Sequence, residues 1–435
     1  MKKQIISGIL FLAFCSTSLI ANAQMDNLAN LSPEWIRSGA RNSATDASDA
    51  VVYNPAGLHK LGNGVHLNIG NQSLFRKPTH TYDFGLGHGE KSYAQDGADL
   101  LLPNIYGAWV KNKWTVFTGV YVSGGGATMN YPNGSITTDL IGLQSVMAAG
   151  GAYADHKDAY LKASSMYLTG TIGVSYTFSP KYSFGIGIRH ISASNTAETG
   201  ISLTSSPMDL PDMPLALEME ESASGTAYTL SMNFSPSEKL NMSMRYESAV
   251  KLDFKTKQIK DDFGLTKDGD MNRRDLSSVY ALGLSYYIND KIQLFTDYTF
   301  YAQENANWGE TSWGSTVRSW SDMAGDAYTI AAGAKYQITP TFAASFGGGY
   351  TNFCYADKDA YYTKLGSFEV IYDNNVNLNS GFSIHATEKV DLNFGYMHAF
   401  WSDQTVKALS ASPMDVDVKL KNSMDAIAIG AQIRF

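Results

Sequence analysis

Beyond roughly its first twenty residues the chain has no apolar run approaching the ~18 residues a membrane-spanning helix needs, so any crossing must be made by strands. Cysteine is almost missing: Cys15 lies in the N-terminal apolar stretch and Cys354 stands alone downstream, which excludes a disulfide framework. No histidine has the H-x-x-x-H spacing of a metal site, and His156, His190, His385 and His398 are scattered. Asp268, Asp270 and Asn272 alternate in a loop but lack the distal Glu of a calcium loop. With neither a metal site nor a legible nucleophile and base, an enzyme is not expected, and no cofactor is implied. Positive charge is also short. A net charge of −8 and the lack of a basic stripe argue against nucleic acid as a partner.

What the chain does have is alternation. In AIAIGAQIRF, residues 426–435, Ile427, Ile429, Ala431, Ile433 and Phe435 share one face, opposed by Ala428, Gly430, Gln432 and Arg434. An apolar face backed by small or polar residues suits a strand with lipid outside it and a wet or plugged lumen inside. Runs of this kind flank six short polar breaks: Asn112-Lys113, Ser179-Pro180, Ser235-Pro236-Ser237, Asn289-Asp290, Thr339-Pro340 and Thr387-Glu388. Between successive breaks lie long polar excursions, including 76–102, 124–160, 256–274 and 305–325. Short turns at one end and long loops at the other are the periplasmic and extracellular ends of an outer-membrane barrel.

Six turns flank twelve strands. One more near 64–75 and one near 422–435 give an all-β, antiparallel transmembrane β-barrel of about 14 strands, and the even count places both mature termini in the periplasm. Parity predicts Ile292, Leu294, Thr296 and Tyr298 toward lipid against Gln293, Phe295, Asp297 and Thr299. Likewise Leu240, Met242, Met244 and Tyr246 oppose Asn241, Ser243, Arg245 and Glu247. Aromatics at strand ends, among them Trp109, Trp114, Tyr176, Tyr182 and Tyr396, suit interfacial girdles, although aromatics are also simply good strand formers.

The N-terminus reads as an export signal over 1–23. Lys2 and Lys3 precede an apolar run from Ile5 to about Ile20, Ala21-Asn22-Ala23 offers the cleavage site, and the mature chain begins at Gln24. Phe14, bulky where a lipoprotein signal wants a small residue, argues against lipidation of Cys15. Residues 24–63 do not look like a strand. Ser32 precedes Pro33 as a possible helix cap, small residues crowd Gly39 to Ala50, and Asn54-Pro55 marks a turn. Such a segment can fold as a plug in a barrel too wide for its own side chains to fill, leaving 64–435 as the barrel.

The stretch GARNSATDASDAVVYNPAGL, residues 39–58, resembles the start of the FadL/TodX family of outer-membrane transporters for long-chain fatty acids and other hydrophobic compounds. The resemblance implies an N-terminal hatch and a fourteen-strand barrel ending on an aromatic, here Phe435. It places the family's Asn-Pro-Ala motif on Asn54, Pro55 and Ala56, continued by Gly57. Pro55 fixes its own φ and restricts Asn54, while Ala56 and Gly57 allow close approach to a barrel wall. The implied function is passive transport of hydrophobic or amphipathic small molecules, with outer-membrane lipid and the barrel assembly machinery as partners and a monomeric state.

The same resemblance implies a lateral exit at a kink in the third strand. Here WTVFTGVYV runs into Ser123-Gly124-Gly125-Gly126, which would either open the ladder or merely enter the next loop flexibly; the family's Pro-Phe-Gly-type segment is not found there. In the loop that follows, Ile136, Leu140, Leu143 and Met147 form one helical stripe. It could capture an acyl chain or pack on the barrel rim. Arg189 and Arg245 are the first choices for a ligand headgroup, against the alternative of pairing with other lumenal charges or with the hatch. Two further readings stay open: a general porin, and a non-transporting interaction or secretion-associated barrel of the same fold.

Overall fold

The computed structural model describes residues 27–435 except 86, 88, 314–315, 364–366 and 409–415; the signal over 1–23, Cys15 and Gln24 lie outside the described residues. Fourteen antiparallel strands form the wall. The first seven are β1 (Gly64–Arg76), β2 (Asp99–Lys111), β3 (Trp114–Tyr131), β4 (Asp155–Ser179), β5 (Tyr182–Thr204), β6 (Met213–Phe234) and β7 (Leu240–Glu247). The rest are β8 (Ser278–Asn289), β9 (Ile292–Ala302), β10 (Ala327–Thr339), β11 (Phe342–Phe353), β12 (Asn375–Thr387), β13 (Val390–Trp401) and β14 (Ser423–Arg434). Each strand pairs with its sequence neighbours, and β1 pairs with β14, placing Gly70 opposite Gly430 and closing the ring. Closure gives every one of these strands two hydrogen-bonded neighbours, as a hydrocarbon environment requires of a sheet.

All six short breaks are turns at one end of the ring, between β2 and β3, β4 and β5, β6 and β7, β8 and β9, β10 and β11, and β12 and β13. The alternation fixes which side faces out. On β14, Ile427 and Ile429 are exposed and Ala428 and Gln432 buried; on β7, Met242 and Met244 are exposed and Asn241 and Ser243 buried; on β9, Leu294 and Tyr298 lie opposite buried Asp297. Trp109, Trp114, Tyr182 and Tyr396 stand exposed on the outer face, and the Trp114 ring lies 4.6 Å from that of Tyr176.

The long-loop end departs from the expectation of irregular excursions. Strand β3 does not end at the glycine run but continues to Tyr131, carried by pairing with the projecting part of β4 as far as Tyr131↔Leu161. The loop between β7 and β8 folds back as a strand, Asp253–Asp261, on the projecting end of β6, with Asp261 opposite Leu217. Four short strands, 79–82, 91–94, 404–408 and 416–421, make a separate sheet from the loops after β1 and β13. Helix α3 (Ile136–Ala148; α1 and α2 lie in the N-terminal segment) has a Ser135–Thr138 capping box. It docks on this sheet through Asp139, which accepts from Tyr82 Oη, Lys91 Nζ at 2.7 Å and Tyr93 Oη at 3.2 Å.

Candidate functional site

The N-terminal segment fills the ring from within. Helix α1 (Pro33–Ser38) starts at Ser32, whose hydroxyl accepts from the Trp35 N–H and donates to Asp49 Oδ2 at 2.8 Å. It stops at Gly39 in the left-handed region, φ 73°. A short α2 (Ala50–Tyr53) leads into a 3-10 turn over Pro55–Leu61. Inside the segment Arg41 forks onto Asp49 (2.5 and 3.0 Å) and reaches Asp46 at 2.7 Å, a buried bidentate pair that fixes the loop between α1 and α2.

The wall meets this segment with asparagines and glycines. Asn379 donates to the Ile36 carbonyl at 2.9 Å, Asn68 and Asn393 both donate to Glu34 Oε1 at 2.7 and 2.8 Å, and Gln432 exchanges hydrogen bonds with Ser48. Asp297 of β9 accepts the backbone N–H of Arg41 and Asn42 at 2.6 and 2.7 Å. Where backbone meets backbone the wall residue is glycine. A Cβ on Gly347 would overlap the Ser38 carbonyl, one on Gly395 would lie 2.8 Å from the Arg37 nitrogen, and one on Gly70 2.6 Å from Pro33 Cγ.

Asn54 of the Asn-Pro-Ala motif is fully buried and donates to Asn233 Oδ1 of β6 at 2.7 Å and to the Ala44 carbonyl at 3.0 Å. Ala56 is held by its carbonyl, which accepts from Ser183 Oγ of β5 at 2.6 Å. Pro55 opens the 3-10 turn, and a Cβ on Gly57 would collide with the Asn54 amide. Glu34 is fully enclosed; burial first, and the charge of Asp49 second, push its carboxyl up to about 7 against the opposing pull of Arg41 and Arg37.

Toward the long loops, residues 27–31 run as a strap. Asn27 bridges Gly124, Leu28 donates its N–H to the Ser123 carbonyl at 2.9 Å, and Tyr53 and Tyr106 bond the backbone of Ala29 and Leu31. Their target is irregular. The β3–β4 register slips between Val122 and Gly124 and again between Gly125 and Ala127, with Gly125 at φ 63°. On the other flank the β2–β3 ladder runs from Lys111↔Trp114 only to Asn104↔Tyr121, and the next backbone link is Asp96 N–H to the Asn130 carbonyl at 2.8 Å. Pro103, which has no N–H to give, stands where the ladder stops. Ser123 to Gly126 therefore lie in a stretch of wall that is unladdered toward β2 and bulged toward β4.

Two cavities adjoin the strap and share Asn27, Leu28, Ala29, Trp35 and Thr329. The larger, about 180 Å³, lies on the long-loop side, walled mainly by Leu74, Met129, Phe353, Ile371, Met397 and Met424, with Gly125 on its rim. The smaller, about 50 Å³, holds Arg189, Arg245 and Glu247. Sequence reasoning named both arginines, and the structure brings them together on Glu247: Arg189 is ion-paired with it and Arg245 Nε lies 3.2 Å from its Oε1. Arg245 Nη1 has no hydrogen-bond partner among the described residues, and the Arg245 guanidinium stands 5.9 Å over the Tyr53 ring.

The α3 stripe is divided. Ile136 and Leu140 are buried in a loop cluster with Trp308, Trp320, Tyr362 and Leu420, Leu143 faces a small cavity beside His156, and Met147 is exposed. None of the four lines the two cavities beside the strap. Sequence reasoning missed the strap and the loop residues 369–372 of the cavity wall, because neither carries a periodic pattern.

No family model and no curated protein sequence matches the chain. Solved structures do. A Pseudomonas aeruginosa FadL homologue superposes with a TM-score of 0.66 at 13% identity, over 94% of this chain and 100% of the other. The Pseudomonas putida toluene transporter TodX gives 0.65 at 13% over 95% and 100%. The Ralstonia pickettii toluene transporter TbuX gives 0.60 at 13% over 95% and 99%. The fold of this chain is theirs.

Proposed function

We propose, from this shared fold, that the protein is an outer-membrane barrel that passively transports hydrophobic or amphipathic small molecules, with residues 24–63 as its hatch. The observation that carries the reading is the apolar cavity of about 180 Å³ set between the filled lumen and a stretch of β3 that is unladdered toward β2. A closed ring with an apolar outer face suits lipid, and a lumen filled by Trp35, Arg41 and Tyr53 argues against the wide aqueous pore of a porin. The short-turn end and both termini are assigned to the periplasm on the same grounds as any barrel with long loops outside.

In the proposed path a ligand enters between the long loops, where the α3 stripe offers Leu143 and Met147 as accessible apolar contacts, and settles in the cavity. Withdrawal of the strap from Ser123 and Gly124 then uncovers the stretch Ser123–Gly126 as a sideways exit into lipid. Such an exit spares an apolar ligand about 0.8 kcal/mol for each methylene it would otherwise expose to water. For an amphipathic acid, Arg189 and Arg245 are the headgroup contacts, in competition with Glu247. The support for fatty acids is this arginine pair, and the support for hydrocarbons is the cavity itself.

Mass spectrometry of organic extracts from the detergent-purified barrel tests the reading, comparing wild type with Asn54→Ala/Pro55→Ala. Apolar molecules retained in defined ratio, with altered occupancy in the variant, are expected. A ligand-free barrel indifferent to the change would sink the proposal.

A further inference from the structure

The larger cavity is apolar over most of its wall but not all of it. Besides Asn27 Oδ1 on the strap, three wall residues carry a buried polar atom with no hydrogen-bond partner among the described residues: Glu369 Oε2, Trp401 Nε1 and Asn422 Oδ1. They belong to one neighbourhood. Asn422 Nδ2 donates to the Ile371 carbonyl at 3.4 Å, and the Trp401 backbone N–H donates to the Asn422 carbonyl at 3.3 Å. Glu369 is fully buried and is held in place by its other oxygen, which accepts the Thr137 N–H at the start of α3 at 3.2 Å. Its backbone carbonyl accepts from Tyr131 Oη at 3.0 Å. The side chain is thus fixed between the loop and the helix with one oxygen left over.

Two of the three orphan atoms accept and one donates. A plain hydrocarbon matches none of them and leaves all three unpaired, a costly state for buried polar groups. A carboxylate brings only acceptors: it can take the Trp401 N–H but sets its oxygens against those of Glu369 and Asn422. A hydroxyl offers one donor hydrogen and two lone pairs, so a single O–H can give to Glu369 or Asn422 and receive from Trp401.

Resting on the transport reading, we infer that this cavity is built for an apolar molecule bearing a hydroxyl, a phenol or an alcohol, in preference to a hydrocarbon or a free acid. Leu74, Met129, Phe353 and Met397 hold the apolar body, while Glu369, Trp401 and Asn422 read the oxygen. Discrimination of this kind arises because a site with buried polar groups rejects the analogue that cannot pair them.

Equilibrium dialysis of radiolabelled 4-ethylphenol, ethylbenzene and 4-ethylbenzoate against the detergent-purified full barrel, with protein-free micelles as blank, decides the matter. The phenol is expected to bind about tenfold or more tightly than either analogue. Glu369→Gln and Trp401→Phe should each shrink that preference to about threefold or less with ethylbenzene bound no more weakly than by the wild type, which also reports that the variant has folded. Ethylbenzene binding as tightly as the phenol, or a preference untouched in both variants, overturns the inference and spares the transport reading. Tightest binding by 4-ethylbenzoate overturns it too and moves the oxygen-reading role to the arginine pair. Binding of none of the three overturns the transport reading itself, and this inference with it.

Discussion

The backbone N–H of Leu28 donates to the carbonyl oxygen of Ser123 at 2.9 Å, tying the strap to a wall strand whose register slips twice within six residues. The bond joins the two elements that the proposed path requires to separate, and it lies between the two cavities.

Locking that contact should stop transport. Paired positions in an antiparallel bridge have Cα atoms about 4.5–5.5 Å apart, within disulfide range. In a Cys354→Ser background, Asn27→Cys/Gly124→Cys is expected to block uptake of the co-purifying ligand under oxidising conditions and to recover with a reductant. Equal uptake in both states would show that the strap need not move.

The glycine seat predicts a steep positional dependence. Gly347→Ala sets a methyl group against the Ser38 carbonyl and should loosen the N-terminal segment by roughly 1–3 kcal/mol, the usual cost of overpacking. Gly170→Ala, where an added Cβ meets nothing within 4 Å, should be neutral. Hydrogen exchange of residues 33–58 reads the difference directly.

Glu34 makes the same segment sensitive to pH. Its carboxyl is held at about 7 in the folded protein against an ordinary value of 4.5, so the unfolded state releases its proton first. Docking of α1 is therefore strongest below pH 4.5 and weakens as pH rises through about 7. Exchange protection of Trp35 to Gly39, corrected for intrinsic rates, should fall across that window in the wild type. In Glu34→Gln it should stay flat.

The arginine pair gives opposite outcomes for two substitutions. Arg245→Met removes a cation and should weaken retention of a carboxylic acid by about 1.5–3 kcal/mol, leaving a hydrocarbon unaffected. Glu247→Gln takes away the competing anion and should tighten retention of the acid. Parallel losses in both variants would mean that the trio only props the wall.

Much of the wall was readable because its period is two and its turns are short and polar. Every break placed a turn, and the parity at Met242, Met244, Leu294, Ile427 and Ile429 was correct. Asn54 was readable from Asn-Pro only as a turn residue, and as part of a hatch only through the resemblance of residues 39–58. The extension of β3 past Gly126 was not, since Ser-Gly-Gly-Gly carries no alternation and only the long partner strand β4 keeps it paired. Nor was the cavity wall: Glu369 lies in the β11–β12 connection, Trp401 ends β13 and Asn422 immediately precedes β14, and nothing in one stretch of sequence announces that they meet. The stripe of α3 was readable as a stripe, yet its first half is taken up by Trp308, Trp320 and Leu420 of other loops.

At Gly70, Gly347 and Gly395 the barrel meets its own centre with backbone alone, the amides of Asn68, Asn379 and Asn393 standing between them. Its middle is thus cast around residues 33–43, as a mould is around a core. Cutting that piece away would not yield a ready-made open pore. It would leave a hollow lined with bare peptide groups, and a wall without the inner partner that sets its shape.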